Sequence, residues 1–202
     1  MTALPDYINP RTGITWPVCI PRWCAEDDGG YVNLVPGPGL VRSDIDQNVA
    51  SLWRYAKAIR LPENTFSSMG EGWTPLVPAV WQGQEILMKM DFLMPSGSFK
   101  DRGVAVMLNY LKQTGVTKIL EDSSGNAGSS VATYSAFLGF DSRIFVPSNA
   151  PVAKQKQMAV LGADVVAVTG TRDDVAAAAY AETETRFYAA HNLQPYFLEG
   201  TK

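Results

Sequence analysis

The sequence predicts an α/β protein, a parallel sheet with helices on both faces, preceded by a Pro/Gly-rich N-terminal arm. Three observations lead there. From Glu85 to Ala190, short apolar and β-branched runs alternate with stretches of helical period, at the spacing of βαβ units. Gly115 and Gly162 punctuate this alternation, as residues that close helices do. Before about Ser68, by contrast, Pro and Gly recur without sustained periodicity, and Pro36-Gly37-Pro38-Gly39 forms a strong turn cluster.

The elements follow in order. In the arm, Val49, Leu52, Trp53, Ala56 and Ile59 give an amphipathic helix over Gln47–Ile59, which Pro62 helps to close. Glu85–Met90 reads as a strand, Asp101–Thr114 as a helix, and Thr117–Glu121 as a strand. A helix over Ser129–Leu138, a strand over Ser142–Val146 and a helix over Pro151–Leu161, with proline in its first turn, come next. A strand over Asp164–Val168 and an alanine-rich helix over Asp174–Ala190 complete the run. The boundary falls near residue 68, dividing an arm over 1–68 from an α/β domain over 69–202.

Composition excludes several classes. With 17 Lys and Arg against 20 Asp and Glu, the net charge is −3, so no basic excess points to nucleic acid or an anionic membrane. No apolar run approaches the roughly 18 residues of a membrane span, and Met1–Asp6 has no basic region before an apolar stretch. A cytoplasmic location is the expectation. Cys19 and Cys24 are too few for a disulfide scaffold. They are also short of the four ligands of a closed zinc site, so no metal is expected.

Two segments carry chemistry. In Pro95-Ser96-Gly97-Ser98-Phe99-Lys100-Asp101-Arg102-Gly103, one lysine follows a tight Gly/Ser turn where an apolar helical pattern (Val104, Met107, Leu108, Leu111) begins. An amine held on a rigid element can form a Schiff base with an aldehyde. In Ser123-Ser124-Gly125-Asn126-Ala127-Gly128-Ser129, small residues lie between a predicted strand and a predicted helix. There the free N–H groups of a helix start can seat a carboxylate or phosphate.

Both segments resemble motifs of the threonine synthases, members of the fold type II family of enzymes dependent on pyridoxal 5′-phosphate (PLP). The first is similar to their P-T/S-G-S-F-K-D-R-G motif and the second to their S/T-S/T-G-N-x-G loop. Gly70-Glu71-Gly72-Trp73-Thr74-Pro75-Leu76 resembles their G-E-G-x-T-P-L motif, Lys89-Met90-Asp91 their K-x-E strand, and Phe197–Lys202 their L-E-G-x-K element. The resemblance implies that PLP is the cofactor and that Lys100 is both the residue joined to its aldehyde and the catalytic base. It further implies that Asn126 bonds the cofactor hydroxyl, while Ser123, Ser124, Asn126 and Ala127 form the seat for the carboxylate of a small amino-acid substrate. Arg102 is expected as a structural ion-pair partner of Asp101 or a neighbouring carboxylate.

The resemblance also has departures. Where many of these enzymes grip the phosphate of O-phosphohomoserine with an Asn and an Arg, this chain has His191 and Phe197. Phenylalanine cannot make the charge-assisted bidentate contact a phosphate dianion calls for, and His191 reads as an ordinary residue at a helix end. The family's glycine-rich cup for the cofactor phosphate and its partner for the pyridine nitrogen come after the L-E-G element, which leads us to expect a truncated or split enzyme. Three readings stay open. The chain is a lyase of the threonine-synthase type, a relative with another substrate (a serine/threonine dehydratase or a cysteate synthase-like enzyme), or a non-catalytic fragment. Its partner is then a second copy in a homodimer or a complementary C-terminal half.

Overall fold

The computed structural model describes residues 4–63 and 65–202. Its centre is a four-stranded, all-parallel sheet in the order β8-β7-β6-β9, built from β6 (Lys118–Glu121), β7 (Asp141–Pro147), β8 (Asp164–Val168) and β9 (Phe187–Tyr188). The helices α2 (Lys100–Gln113), α3 (Asn126–Leu138), α4 (Val152–Val160) and α5 (Arg172–Tyr180) precede or link these strands.

Side-chain alternation along the strands explains the double cover. Ile119 joins a core made with α2 and α3, and Ile144 and Val146 pack on Ala132 of α3 and Met158 of α4. Their neighbours Leu120 and Phe145 face the other way, onto Val175 and Ala179 of α5. Helix α2 is buried all round from Gly103 to Leu111, as a central helix must be. Each large apolar side chain fully buried on it, such as Met107, Leu108 or Leu111, contributes about 1.5–3 kcal/mol relative to exposure.

The arm contains more structure than its sequence predicts. β1 (Asp6–Ile8), β2 (Thr15–Pro17) and β3 (Asn33–Leu34) form a small antiparallel sheet in the order β2-β1-β3. Strands of two or three residues among prolines leave no periodicity to read. The Tyr7 hydroxyl donates to that of Tyr110 on α2 at 2.6 Å, and Tyr110 in turn donates to the carbonyl of Val18 at 2.8 Å, so the arm packs into the main core. The predicted helix over 47–59 shrinks to a 3₁₀ turn, Leu52–Tyr55, followed by one α-helical turn, α1 (Ala56–Ile59). Ser51 sets its start by accepting from the Trp53 N–H, and Arg60, at φ 55°, ends it.

Two further differences concern the domain. The strand expected at 85–90 is β5 (Gln84–Lys89), and it pairs only with β4 (Leu76–Trp81), as a separate antiparallel hairpin. Gln82 and Gly83, both at positive φ, make the two-residue turn between them, a signal that the sequence carries and the alternation reading passed over. The helix expected over 174–190 ends at Tyr180. Beyond it the chain must bury Tyr188, which packs edge-on to Trp23 and Tyr180 while β9 pairs with β6. Helix α6 (Pro195–Thr201) then lies along α2.

Candidate active site

Lys100 is the first residue of α2, and the turn that presents it is fixed by its neighbours. Gly97, at φ 83°, takes a backbone conformation that costs other residues strain. Asp101 is fully buried and accepts from the Ser96 N–H at 2.7 Å, from the Ser96 hydroxyl and from the Ser130 hydroxyl at 2.5 Å. Arg102 is held by a different carboxylate, Asp91, through bonds of 3.1 and 2.9 Å, and the Thr74 hydroxyl donates to the same carboxylate at 2.6 Å. The Arg102 guanidinium, with Thr74, holds the Asp91 carboxyl below the usual carboxylate range. Lys100 is the group these bonds leave unengaged. Its amine has no ion-pair partner among the described residues and lies 5.1 Å from the ring centre of Phe99 and 5.3 Å from that of Phe197.

The second segment forms the junction between β6 and α3. Helix α3 begins at Asn126, with Gly125 as its N-cap and no side-chain cap. The N–H groups of its first turn therefore face outward without an intrahelical acceptor. A methyl group on Gly128 would sit 1.9 Å from the Ser123 carbonyl, so only glycine lets the loop fold this closely onto the helix start. The Ser130–Asp101 bond ties the second turn of α3 to the first turn of α2 and brings the loop beside the lysine turn. Ser123 and Ser124 are half-buried, Ala127 is buried, and Asn126 is exposed. The Asn126 Oδ1 accepts from Lys154 Nζ at 3.1 Å, which leaves its amide hydrogens available. Motif reading did not foresee the part of Lys154, because that residue lies on the separate helix α4.

Two buried carboxylates complete the surroundings. Glu71, from the G-E-G segment, accepts from the Trp53 indole, the Ser68 hydroxyl (3.0 Å), the Met69 N–H (2.9 Å) and the Tyr134 hydroxyl (3.0 Å). It thereby joins the arm to α3. Burial and the nearby Glu71 charge both push the Tyr134 hydroxyl well above its ordinary pKa. Glu121, at the carboxyl end of β6, accepts from the His191 N–H at 3.2 Å and lies 2.9 Å from its Nδ1. Burial raises the Glu121 pKa, with His191 opposing the shift.

His191 is thus not a helix-end residue but a partner of a buried acid, in the turn after β9. Its ring meets Phe197 edge-on at 5.6 Å. Phe197 is 6% exposed, and its ring lies so close over Gly103 that a methyl there would come within 2.5 Å. Cys19 and Cys24 are free, and among the described residues no cluster of three or more His, Cys, Asp or Glu is placed to hold a metal ion. No helix among them is long and apolar enough to cross a membrane.

Comparisons with known proteins place the chain in a family. The family model described as pyridoxal-phosphate dependent enzyme matches residues 67–202. The chain belongs to the pyridoxal-phosphate dependent enzyme family. Among curated members, it is 32% identical to the threonine synthase of Synechocystis sp. over 146 residues, which is 65% of this chain and 37% of that protein. It is 32% identical to the threonine synthase of a Bacillus sp. over 158 residues, 75% of this chain and 45% of that one. With the threonine synthase of Methanosarcina acetivorans the identity is 27% over 189 residues, covering 89% and 46%. The chain thus spans between about a third and a half of the length of these relatives.

Solved structures share the fold. A hydrogen sulfide-producing enzyme from Fusobacterium nucleatum superposes with TM-score 0.53 at 25% identity, over 58% of this chain and 41% of its own. An O-acetylserine dependent cystathionine beta-synthase from Helicobacter pylori does so with TM-score 0.56 at 23% identity, over 62% and 46%. The family cofactor is PLP, and the residues present fit it. They offer a lysine amine without an ion-pair partner, an asparagine with free amide hydrogens and an uncapped helix start.

Proposed function

We propose that this chain carries the lysine-bearing part of a PLP-dependent lyase site of the threonine-synthase type, acting on an amino acid by elimination or replacement at its side chain. The observation that supports it is the position of Lys100, which is free of any carboxylate and has the uncapped start of α3 tied beside it through Asp101 and Ser130. When bound, the cofactor draws electron density from the substrate α-carbon and so loosens its proton.

The remaining roles belong to the chain. Lys100 is the residue that holds the cofactor's aldehyde end, and its Nζ is the base that carries the α-proton. Asn126 donates to the cofactor hydroxyl. The hydroxyls of Ser123 and Ser124, with the N–H groups at Asn126 and Ala127, hold the substrate carboxylate at the positive end of the helix. The rings of Phe99 and Phe197 lie 5.1 and 5.3 Å from the lysine amine. Residues 69–202 form the enzyme portion, and the arm over 1–68 supports it through Trp53 on Glu71 and Tyr7 on Tyr110.

A second reading concerns the leaving group. Phe197 is buried on Gly103, and the His191 imidazole is engaged by Glu121, so neither offers a cation to a phosphate dianion. These features favour a substrate without phosphate, as in a serine/threonine dehydratase. One bidentate arginine contact is worth about 2–3 kcal/mol, or roughly 30- to 160-fold in kcat/KM. Steady-state assays of the PLP-loaded protein with O-phosphohomoserine, O-acetylhomoserine and serine test this. The expected result is that O-phosphohomoserine is not the preferred substrate. A kcat/KM for O-phosphohomoserine above both others would return the function to threonine synthase itself.

A further inference from the structure

The protein has a cleft of about 900 Å³ whose lining does not include Lys100. Its walls include the Pro36–Leu40 loop, Arg54, Tyr55, Arg60, Trp73 and Lys89. Three features mark it as built for a ligand. The first is charge. Of the cations on its lining, Arg102 is neutralised by Asp91 and Lys202 by Glu199, whereas Arg54, Arg60 and Lys89 have no ion-pair partner among the described residues. Arg60 donates to the Val35 carbonyl at 3.0 Å and Lys89 to that of Thr74, both neutral acceptors.

The second feature is a buried donor without an acceptor. Arg54 is only 5% exposed, its Nε has no hydrogen-bond partner, and the one bond its guanidinium makes runs to Gln47 Oε1 at 2.9 Å. A buried guanidinium with unmet hydrogen-bonding capacity and no counter-charge is costly until an anion approaches it. The third feature is aromatic. The Arg54 guanidinium lies 4.0 Å from the Trp73 ring centre and 5.8 Å from that of Tyr55. Trp73 is nonetheless 59% exposed and Tyr55 42%. Trp73 also sits at φ 52°, in the left-handed region that a bulky residue adopts only when its surroundings enforce it.

We propose that this cleft binds a small organic anion that carries a planar ring. Its phosphate or carboxylate is met by Arg54, Arg60 and Lys89, and its ring stacks on Trp73 and Tyr55. Cations next to exposed aromatic faces are complementary to both halves of such a ligand at once.

The test is calorimetric titration of the full chain with phenyl phosphate, phenol and inorganic phosphate. Phenyl phosphate should bind at least about tenfold more tightly than either of the others, and more weakly as salt rises. Arg54→Met and Trp73→Leu should each weaken it by about tenfold or more. Lys100→Ala should leave the affinity unchanged, which separates this cleft from the lysine site. If Arg54→Met fails to fold, Trp73→Leu, which alters an exposed side chain, decides alone. The proposal is overturned if phenyl phosphate does not bind at millimolar concentration, if inorganic phosphate or phenol binds as tightly, if binding survives Trp73→Leu undiminished, or if it is lost in Lys100→Ala.

Discussion

Two junctions in one sheet start alike and end differently. After β8, helix α5 opens with a complete capping box. The Thr171 hydroxyl accepts from the Asp174 N–H, and the Asp174 carboxylate accepts from the Thr171 N–H. After β6, helix α3 opens on Gly125 with no cap, although the same chain supplies Ser and Asn at that turn. The first junction meets its own hydrogen-bonding needs, whereas the second leaves its first N–H groups without a side-chain acceptor. The uncapped start is also the one held beside a lysine, by the buried Asp101.

Asp101 is where the largest effect is expected. Asp101→Ala strands the Ser96 N–H and two hydroxyls in a buried site, and should cost on the order of 2–4 kcal/mol of stability in denaturant titration. It should also release Lys100 from the α3 start, so that cofactor binding is lost in whatever fraction stays folded. A neutral result would mean that the two helix starts are held together by something other than this carboxylate.

The contrast between the junctions is sharpened by exchanging their properties. Space is open around Gly125, so Gly125→Asp should supply α3 with a cap and stabilise the chain by roughly 0.5–1 kcal/mol. The same carboxylate should occupy the anion seat and raise the KM for the amino-acid substrate by about tenfold or more. Thr171→Ala should do the reverse, losing about 1 kcal/mol of stability with kcat/KM unchanged. Thermal melts and steady-state kinetics read both, and parallel behaviour of the two variants would erase the distinction.

The smallest effect is a matter of pH. The Asp91 carboxyl is lowered, first by Arg102, so its contribution to stability is present above the ordinary carboxylate pKa and is lost as pH falls through the lowered value. Asp91→Asn should therefore be less stable than the parent near pH 7. The gap should narrow below about pH 4 in melts across that range. A gap that stays constant with pH would show that Asp91 acts through hydrogen bonding alone.

Much of this was legible in the sequence because local signals carried it. Val104, Met107, Leu108 and Leu111 gave α2, and the small residues from Ser123 to Ser129 gave the open junction, since periodicity and turn chemistry are properties of neighbours in the chain. Tertiary burial overrode such signals elsewhere. The alanines of α5 favour helix past Tyr180, yet Tyr188 is needed against Trp23, so a strand forms instead. The pairing of β4 with β5 and of Glu121 with His191 depends on partners that no window of sequence displays together. Arg102 was expected to pair with Asp101 or a neighbouring carboxylate. The acid that holds it, Asp91, lies eleven residues earlier, across the lysine turn.

The central claim is that Lys100, alone among the lysines, is positioned to join the cofactor. Incubation of the protein with PLP, reduction with borohydride and peptide mapping by mass spectrometry address it directly. The account predicts a phosphopyridoxyl group on Lys100 and its disappearance in Lys100→Ala. A label on Lys89 or Lys154 in place of Lys100, or one undiminished in Lys100→Ala, would contradict it.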